Sequence, residues 1–235
     1  LAADACEKLL ALIKGKNADC IVCGLKQTSG NIWAPAFDKD YSDLASFKCD
    51  FIYWINTELL SSSVNKIYKR GLITELYPEN MSFGEDLVFV LNYLKHCNRI
   101  SFTQEPLYQH EVYNSVSLTH SFSPARFSNL EDIQKAILDF ADDKNKINPR
   151  IYDKYVKDAL HLTRMWYKNK NVPYIRKKEI IGEWLKQSYI RKLKISDYQL
   201  HWKDRMLLHC LHMSCFIGIN LIVNGKEYIN SLSKE

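Results

Sequence analysis

Apolar positions recur at helical spacing between Asp4 and Lys14, at Ala5, Leu9, Leu12 and Ile13, which predicts an amphipathic helix. Asp4 is placed to cap it and Gly15 to end it. The run Asp19–Leu25 is short and almost wholly apolar, the pattern of a buried strand. Residues 27–39 carry Gly30 and Pro35 and read as a loop. Residues 41–60 return to a helical pattern with a break, and Ser61-Ser62-Ser63 follows as a hinge or cap. Residues 64–74 combine an extended piece with a helical turn. After a loop over 77–83, residues 85–97 give the clearest helix of the chain. Two strands are expected at 99–102 and 107–112, separated by Glu105-Pro106. Helices alternating with short strands are α/β grammar.

The pattern changes after Ser123. Residues 124–140, 149–167 and 174–189 are helical stretches, each with a proline (Pro124, Pro149, Pro173) where the helix would begin. A fourth helix is expected from about Tyr198 to Val223. The expected fold class is therefore α/β in a first part, residues 1–118, followed by an all-helical part, residues 119–235. No internal repeat or low-complexity tract interrupts either part.

Composition narrows the function classes. The chain has 235 residues, 46% apolar and 25% charged, as in ordinary globular proteins. Its aromatic content, with 14 Tyr and 5 Trp, suits a sugar site as well as a core. The net charge of +5 is uneven: residues 166–205 hold 11 Lys or Arg against 4 Asp or Glu. Such a stretch fits a solvated helix face or an anionic partner. No nucleic-acid module accompanies it, so nucleic acid is not an expected partner. Seven scattered cysteines point to free thiols in a reducing compartment. Cys20 and Cys23 have a zinc-like spacing, but no second pair follows and they lie in the apolar run, so they read as core. The first residues do not resemble a signal peptide, and Leu1-Ala-Ala-Asp4 reads as the middle of a longer sequence. The expected location is cytoplasmic. Residues 206–223 are apolar but barely reach spanning length; a packed helix is expected, with contact at the inner membrane face as the alternative.

The chemistry concentrates at Ser82-Phe-Gly-Glu-Asp86. Ser82 and Glu85 have the spacing of a capping box, and acidic residues suit the positive end of a helix dipole. A helical wheel separates the two carboxylates. Glu85 shares a stripe with Asn92, Lys95 and His96, a solvent face. Asp86 lies about 100° away, beside Tyr93 and the apolar face of Leu87, Val90 and Leu94. Asp86 is thus expected to face a pocket wall, where a carboxylate could take a proton from a bound hydroxyl.

Four pieces in order carry a resemblance: Asn65-Lys-Ile-Tyr-Lys-Arg70, Ser82-Phe-Gly-Glu-Asp-Leu-Val-Phe89, Glu105-Pro-Leu-Tyr108 and Asn114-Ser-Val-Ser117. Residues 1–118 resemble the second half of family 2 glycosyltransferases of the GT-A type, bacterial enzymes that build surface polysaccharides. The opening Asp4-Ala-Cys-Glu-Lys-Leu9 looks like the helix that follows the family's metal-binding Asp-x-Asp motif, which would then precede Leu1 along with the nucleotide-binding half. The resemblance implies transfer of a sugar, with inversion, from a nucleoside-diphosphate sugar to a hydroxyl of a saccharide or lipid-linked acceptor. It implies a divalent metal, Mn or Mg, in the full-length parent, with the present chain expected to bind none and to be inactive alone. Asp86 matches the catalytic base and Glu85 its neighbour. Asn65, Lys66 and Tyr108 match substrate-side positions, and His110 is a candidate metal ligand. The match departs at Glu111, where relatives often have Arg, and at Val64, where they often have Trp. A non-catalytic membrane-docking module using the basic helical tail is the competing expectation.

Overall fold

A computed structural model of the chain describes residues 2–111, 123–142 and 148–232. It forms two compact units: residues 1–120 with 135–146, and residues 121–134 with 147–235. The Asn114–Ser117 segment of the resemblance lies outside the described residues.

The first unit is α/β. Its elements are α1 (Ala5–Gly15), β1 (Cys20–Val22), β2 (Leu25–Gln27), β3 (Ile32–Trp33), β4 (Lys39–Tyr41), α2 (Leu44–Asn56), β5 (Lys66–Tyr68), α3 (Glu85–Leu94), β6 (Ile100–Phe102) and β7 (Tyr108–His110). One sheet has the order β4-β6-β1-β5 and a second the order β3-β2-β7. In the first, β1 runs parallel to β6 and antiparallel to β5. In the second, β2 runs parallel to β7, pairing Gln27 with His110.

The single strand expected over residues 19–25 is therefore two strands in two sheets. Gly24 is the hinge. A Cβ there would come within 2.8 Å of the Ala34 Cβ and 3.1 Å of the Pro106 Cα, so only glycine lets the chain cross at this point. The loop expected over residues 27–39 contains β3, whose two residues are too short to leave a period.

Helix ends also differ from the sequence expectation. Asp4 makes no side-chain cap; its carboxylate pairs with Lys8 one turn on, at 3.1 Å. Gly15 is helical, and the left-handed residue is Asn17, at φ +46°. Helix α3 starts at Glu85, with Gly84 in the left-handed conformation at its N-cap and no side-chain cap bond. The predicted capping box is not formed, because Glu85 is the first helical residue rather than the third. Helix α2 is capped as its sequence allows: Asp43 accepts from the Ser46 N–H at 2.7 Å.

The core of this unit is aromatic. Trp54 of α2 stacks on Phe102 of β6, with centroids 3.7 Å apart, and Phe51 packs on Phe140 at 4.7 Å. Beneath the sheet, Ala5 and Leu9 of α1 join Ala18, Ile21, Cys23 and Leu107 in one apolar cluster. Asp19, just before β1, ties the strand ends together. Its carboxylate pairs with Lys69 at 2.6 Å and accepts from the Asn98 and Arg99 N–H groups at 2.8 and 3.0 Å. Burial alone would raise its pKa, but these partners more than offset that and lower it.

The second unit is helical, with the start of α4 (Ala125–Ala141), α5 (Asp153–Lys168), α6 (Tyr174–Gln187), α7 (Trp202–His212) and α8 (Phe216–Leu232). The helix expected over residues 198–223 is two helices. The break falls at Ser214, which has φ +53°. Glu131 of α4 is the polar hub of this unit. It accepts from the Tyr155 hydroxyl at 2.5 Å, the Trp184 indole at 2.6 Å and the Tyr189 N–H at 3.2 Å. No helix among the described residues is long and apolar enough to cross a membrane. All seven cysteines are free.

Candidate functional site

The site of interest in the first unit is built on the turn that leaves α2. Thr57 Oγ1 donates to the Trp54 carbonyl at 2.7 Å and ends the helix. Glu58 then takes a left-handed backbone, φ +64°, a conformation that costs energy for a residue with a Cβ. Ser61 Oγ donates to its carboxylate at 2.9 Å.

Asn65 and Lys66 hold this turn in place. The Asn65 amide donates to the carbonyls of Cys23 at 2.9 Å and Leu59 at 3.3 Å. Lys66 is 7% exposed. Its ammonium donates to the Leu59 carbonyl and to Asn65 Oδ1, both at 2.8 Å, and to the Ser62 carbonyl. All three of its protons are thus committed within the protein. Burial lowers its pKa from 10.5 to about 8, against the opposing pull of Cys20, Cys23 and Asp86. In this arrangement Lys66 is a strut under the site.

Asp86, in the first turn of α3, reaches the same turn. Ser63 Oγ donates to Asp86 Oδ1 at 2.7 Å, and the Tyr68 hydroxyl donates to the Ser63 carbonyl at 2.8 Å. Asp86 is half-buried and has no other hydrogen-bond partner among the described residues, so Oδ2 stays available. Glu85, equally half-buried, makes no hydrogen bond or ion pair among the described residues.

One residue from Ser63, a pocket of about 370 Å³ opens. Its lining includes Trp33, Glu58, Ser62, Asn65 and His110. Trp33 is partly exposed, as an aromatic platform must be, and polar groups stand around it. Of the residues singled out from sequence, Asn65 and His110 line the pocket and Lys66 bonds to three of its lining residues; Asp86 is not in the lining and is linked to this turn through Ser63. Glu85 and Tyr108 are not among the lining residues. Tyr108 takes part through its backbone, its N–H donating to the Gly24 carbonyl at 3.4 Å.

Trp33, Glu58 and Ser63 were not legible as site residues. Ser63 carried a weak signal, since three consecutive serines mark a turn. Trp33 and Glu58 join the site only because β3 and the left-handed turn meet there.

The donor set falls short of a metal site. His110 and Glu58 both line the pocket, but among the described residues no three His, Cys, Asp or Glu side chains are grouped to hold an ion. The residues present do not by themselves fit a divalent cation.

No family model and no curated protein matches the chain. Solved structures do. TarS 1–349 of S. aureus in complex with UDP-GlcNAc superposes with a TM-score of 0.61 at 17% identity, over 96% of this chain and 64% of that one. TarS 1–349 without the ligand gives 0.58 at 15% identity, over 96% and 63%. The chain therefore spans slightly under two thirds of the length of those neighbours. At this identity the likeness concerns architecture alone: the chain has a mixed α/β and helical fold similar to that of TarS.

Proposed function

We propose that the first unit is the acceptor side of an inverting glycosyltransferase of the GT-A, family 2 kind, with Asp86 as its catalytic base. The carrying observation is the setting of Asp86. One carboxylate oxygen is fixed by Ser63, the other is unclaimed among the described residues, and Ser62, next to Ser63 in sequence, lines a pocket with an aromatic wall. The TarS likeness supports the donor class, because UDP-GlcNAc in that complex is a nucleotide sugar.

In the proposed step the acceptor hydroxyl attacks the anomeric carbon of the donor while its proton passes to Asp86 Oδ2. The bond from that carbon to the phosphate oxygen breaks, the nucleoside diphosphate leaves with the electron pair, and configuration inverts. Ser63 orients the carboxylate. Trp33 offers its face to a sugar ring. Asn65 and Lys66 fix the turn that shapes the pocket floor. The diphosphate of the family reaction draws on a divalent metal, but this chain's described residues supply no complete site for one, and no step is assigned to it. Surface polysaccharide as the product class rests on the sequence resemblance alone.

The test is Asp86→Asn in the enzyme that carries this chain, with transfer from UDP-GlcNAc and nucleotide binding measured side by side. Loss of transfer with nucleotide binding retained is expected. Turnover close to that of the unaltered enzyme would remove Asp86 as the base.

A further inference from the structure

The second unit contains a separate pocket of about 590 Å³. It lies where α5 ends, α6 begins and α8 passes. Lys168, Tyr174, Lys177, Ile217, Leu221 and Asn224 are among its walls, and none of its described lining residues is acidic.

Three observations point to an anionic ligand. The first turns of helices favour acidic residues, because the dipole is positive there. Helix α6 has none in its first turn and instead runs Arg176-Lys177-Lys178, of which Arg176 is paired with Glu179 at 3.1 Å. Next, Lys177 is 8% exposed and lines the pocket, and among the described residues its ammonium makes one hydrogen bond, to the Tyr167 carbonyl at 2.7 Å. An ammonium has three donors, so two can turn to a ligand in the pocket. Finally, Lys168 stands exposed at the end of α5 and adds a second charge.

The other wall is apolar and open. Ile217 and Leu221 are one turn apart on α8 and are 69% and 55% exposed. Tyr174, at the start of α6, is exposed and lines the same pocket. Ammonium groups and the start of α6 on one side, with exposed aliphatic side chains of α8 on the other, match a ligand that is a phosphate at one end and a hydrocarbon at the next.

We propose that this pocket binds the phosphate of an anionic phospholipid headgroup, with Lys168 and Lys177 on the phosphate oxygens and Ile217 and Leu221 against the first acyl methylenes. The site belongs to a unit that contains none of the residues assigned to sugar transfer. It stands or falls independently of the proposed activity.

The test is co-sedimentation of the whole chain with vesicles of phosphatidylcholine, with and without phosphatidylglycerol. Glycerol phosphate, as a soluble competitor, separates a lipid site from a free-phosphate site. Binding is expected only with phosphatidylglycerol. Lys168→Gln should weaken it about fivefold, the scale of one cationic side chain at an anionic surface. Lys177→Met keeps the buried stem and should weaken it at least as much, and Leu221→Ser should weaken it too. Lys168 is exposed, so its variant folds even where the Lys177 variant does not. Equal binding to neutral vesicles, or unchanged binding after Lys168→Gln, would overturn the phosphate contact. Full displacement by glycerol phosphate at concentrations near its own affinity, with Leu221→Ser neutral, would overturn the lipid assignment.

Discussion

Asp86 in the first unit and Glu131 in the second are both half-buried carboxylates on helices, and they meet opposite surroundings. Glu131 is closed in by a tyrosine hydroxyl, an indole N–H and a backbone N–H. Burial raises its pKa even so. Asp86 has one hydroxyl partner among the described residues and an oxygen with none. A carboxylate whose acceptor sites are filled by the protein has settled its desolvation internally and has nothing left for a substrate. One that is oriented but unsaturated keeps a lone pair for chemistry. Asp19 belongs with Glu131: three donors surround it, and it holds strand ends together. On the reading proposed for Asp86, the difference separates a base from a brace without reference to residue type.

The largest effect that would break this comparison lies in activity. Asp86→Asn should reduce transfer by about 10²–10⁴-fold, the usual contribution of a positioned base, while the urea midpoint stays within experimental scatter. If the variant instead unfolded easily and transferred at a normal rate per folded molecule, Asp86 would be a brace like Glu131. The reverse holds for Glu131→Ala. It leaves the Tyr155 hydroxyl and Trp184 indole N–H without their acceptor, at a cost of about 2–4 kcal/mol of folding stability, with donor binding untouched. Equilibrium unfolding of the two variants in parallel measures both halves of the contrast.

The contrast also shows what the sequence could carry. Helical spacing placed α1, α3, α4, α5 and α6, because a repeated apolar stripe is written locally, but it ran α7 and α8 together. The wheel set Asp86 beside the apolar face of its helix and Glu85 on a solvent stripe, yet the two are equally half-buried. Partners that arrive from elsewhere leave no local trace. Nothing near Asp86 announces Ser63, 23 positions earlier, and nothing near Trp33 announces the left-handed turn at Glu58. Gly24 was read within one strand because its reason, the approach of Ala34 and Pro106, lies in two other segments. The capping box at Ser82 failed for a similar reason: the local rule allowed it, and the left-handed Gly84 started the helix later.

A smaller effect sharpens the role of Ser63. Ser63→Ala removes the one hydrogen bond that orients Asp86 and leaves the Ser63 carbonyl to Tyr68 intact. Transfer should fall about tenfold, equivalent to about 1.4 kcal/mol, the net scale of a hydrogen bond to a charged group. The loss should appear in kcat rather than KM. A loss confined to KM would place Ser63 on the substrate instead of the base.

The smallest expected effect concerns Lys66, the cation in the first unit that is as enclosed as Glu131. Its ordinary pKa of 10.5 falls to about 8 on folding, because burial disfavours its charge. Below pH 8 both the folded and unfolded chains hold the proton, and Lys66 adds no pH dependence. Between pH 8 and 10.5 the unfolded chain still holds it while the folded chain has released it, so stability rises with pH, by up to about 1.4 kcal/mol per pH unit. The buried thiol of Cys20 opposes this from pH 9 upward. Unfolded, it ionises at 9.0; folded, burial holds its proton to about 12. There the folded chain binds more protons and stability falls. Between pH 9 and 10.5 these two slopes cancel; the thiols of Cys23 and Cys97, whose pKa burial also raises, add to the fall and put the stability maximum near pH 9, measurable as the urea midpoint at half-unit steps from pH 7 to 11. In Lys66→Met the rise between pH 8 and 9 should vanish while the fall above pH 9 remains. A rise that survives the substitution would mean that the three acceptors around Lys66 keep it charged throughout, and that the strut is ionic at every pH where the chain is folded.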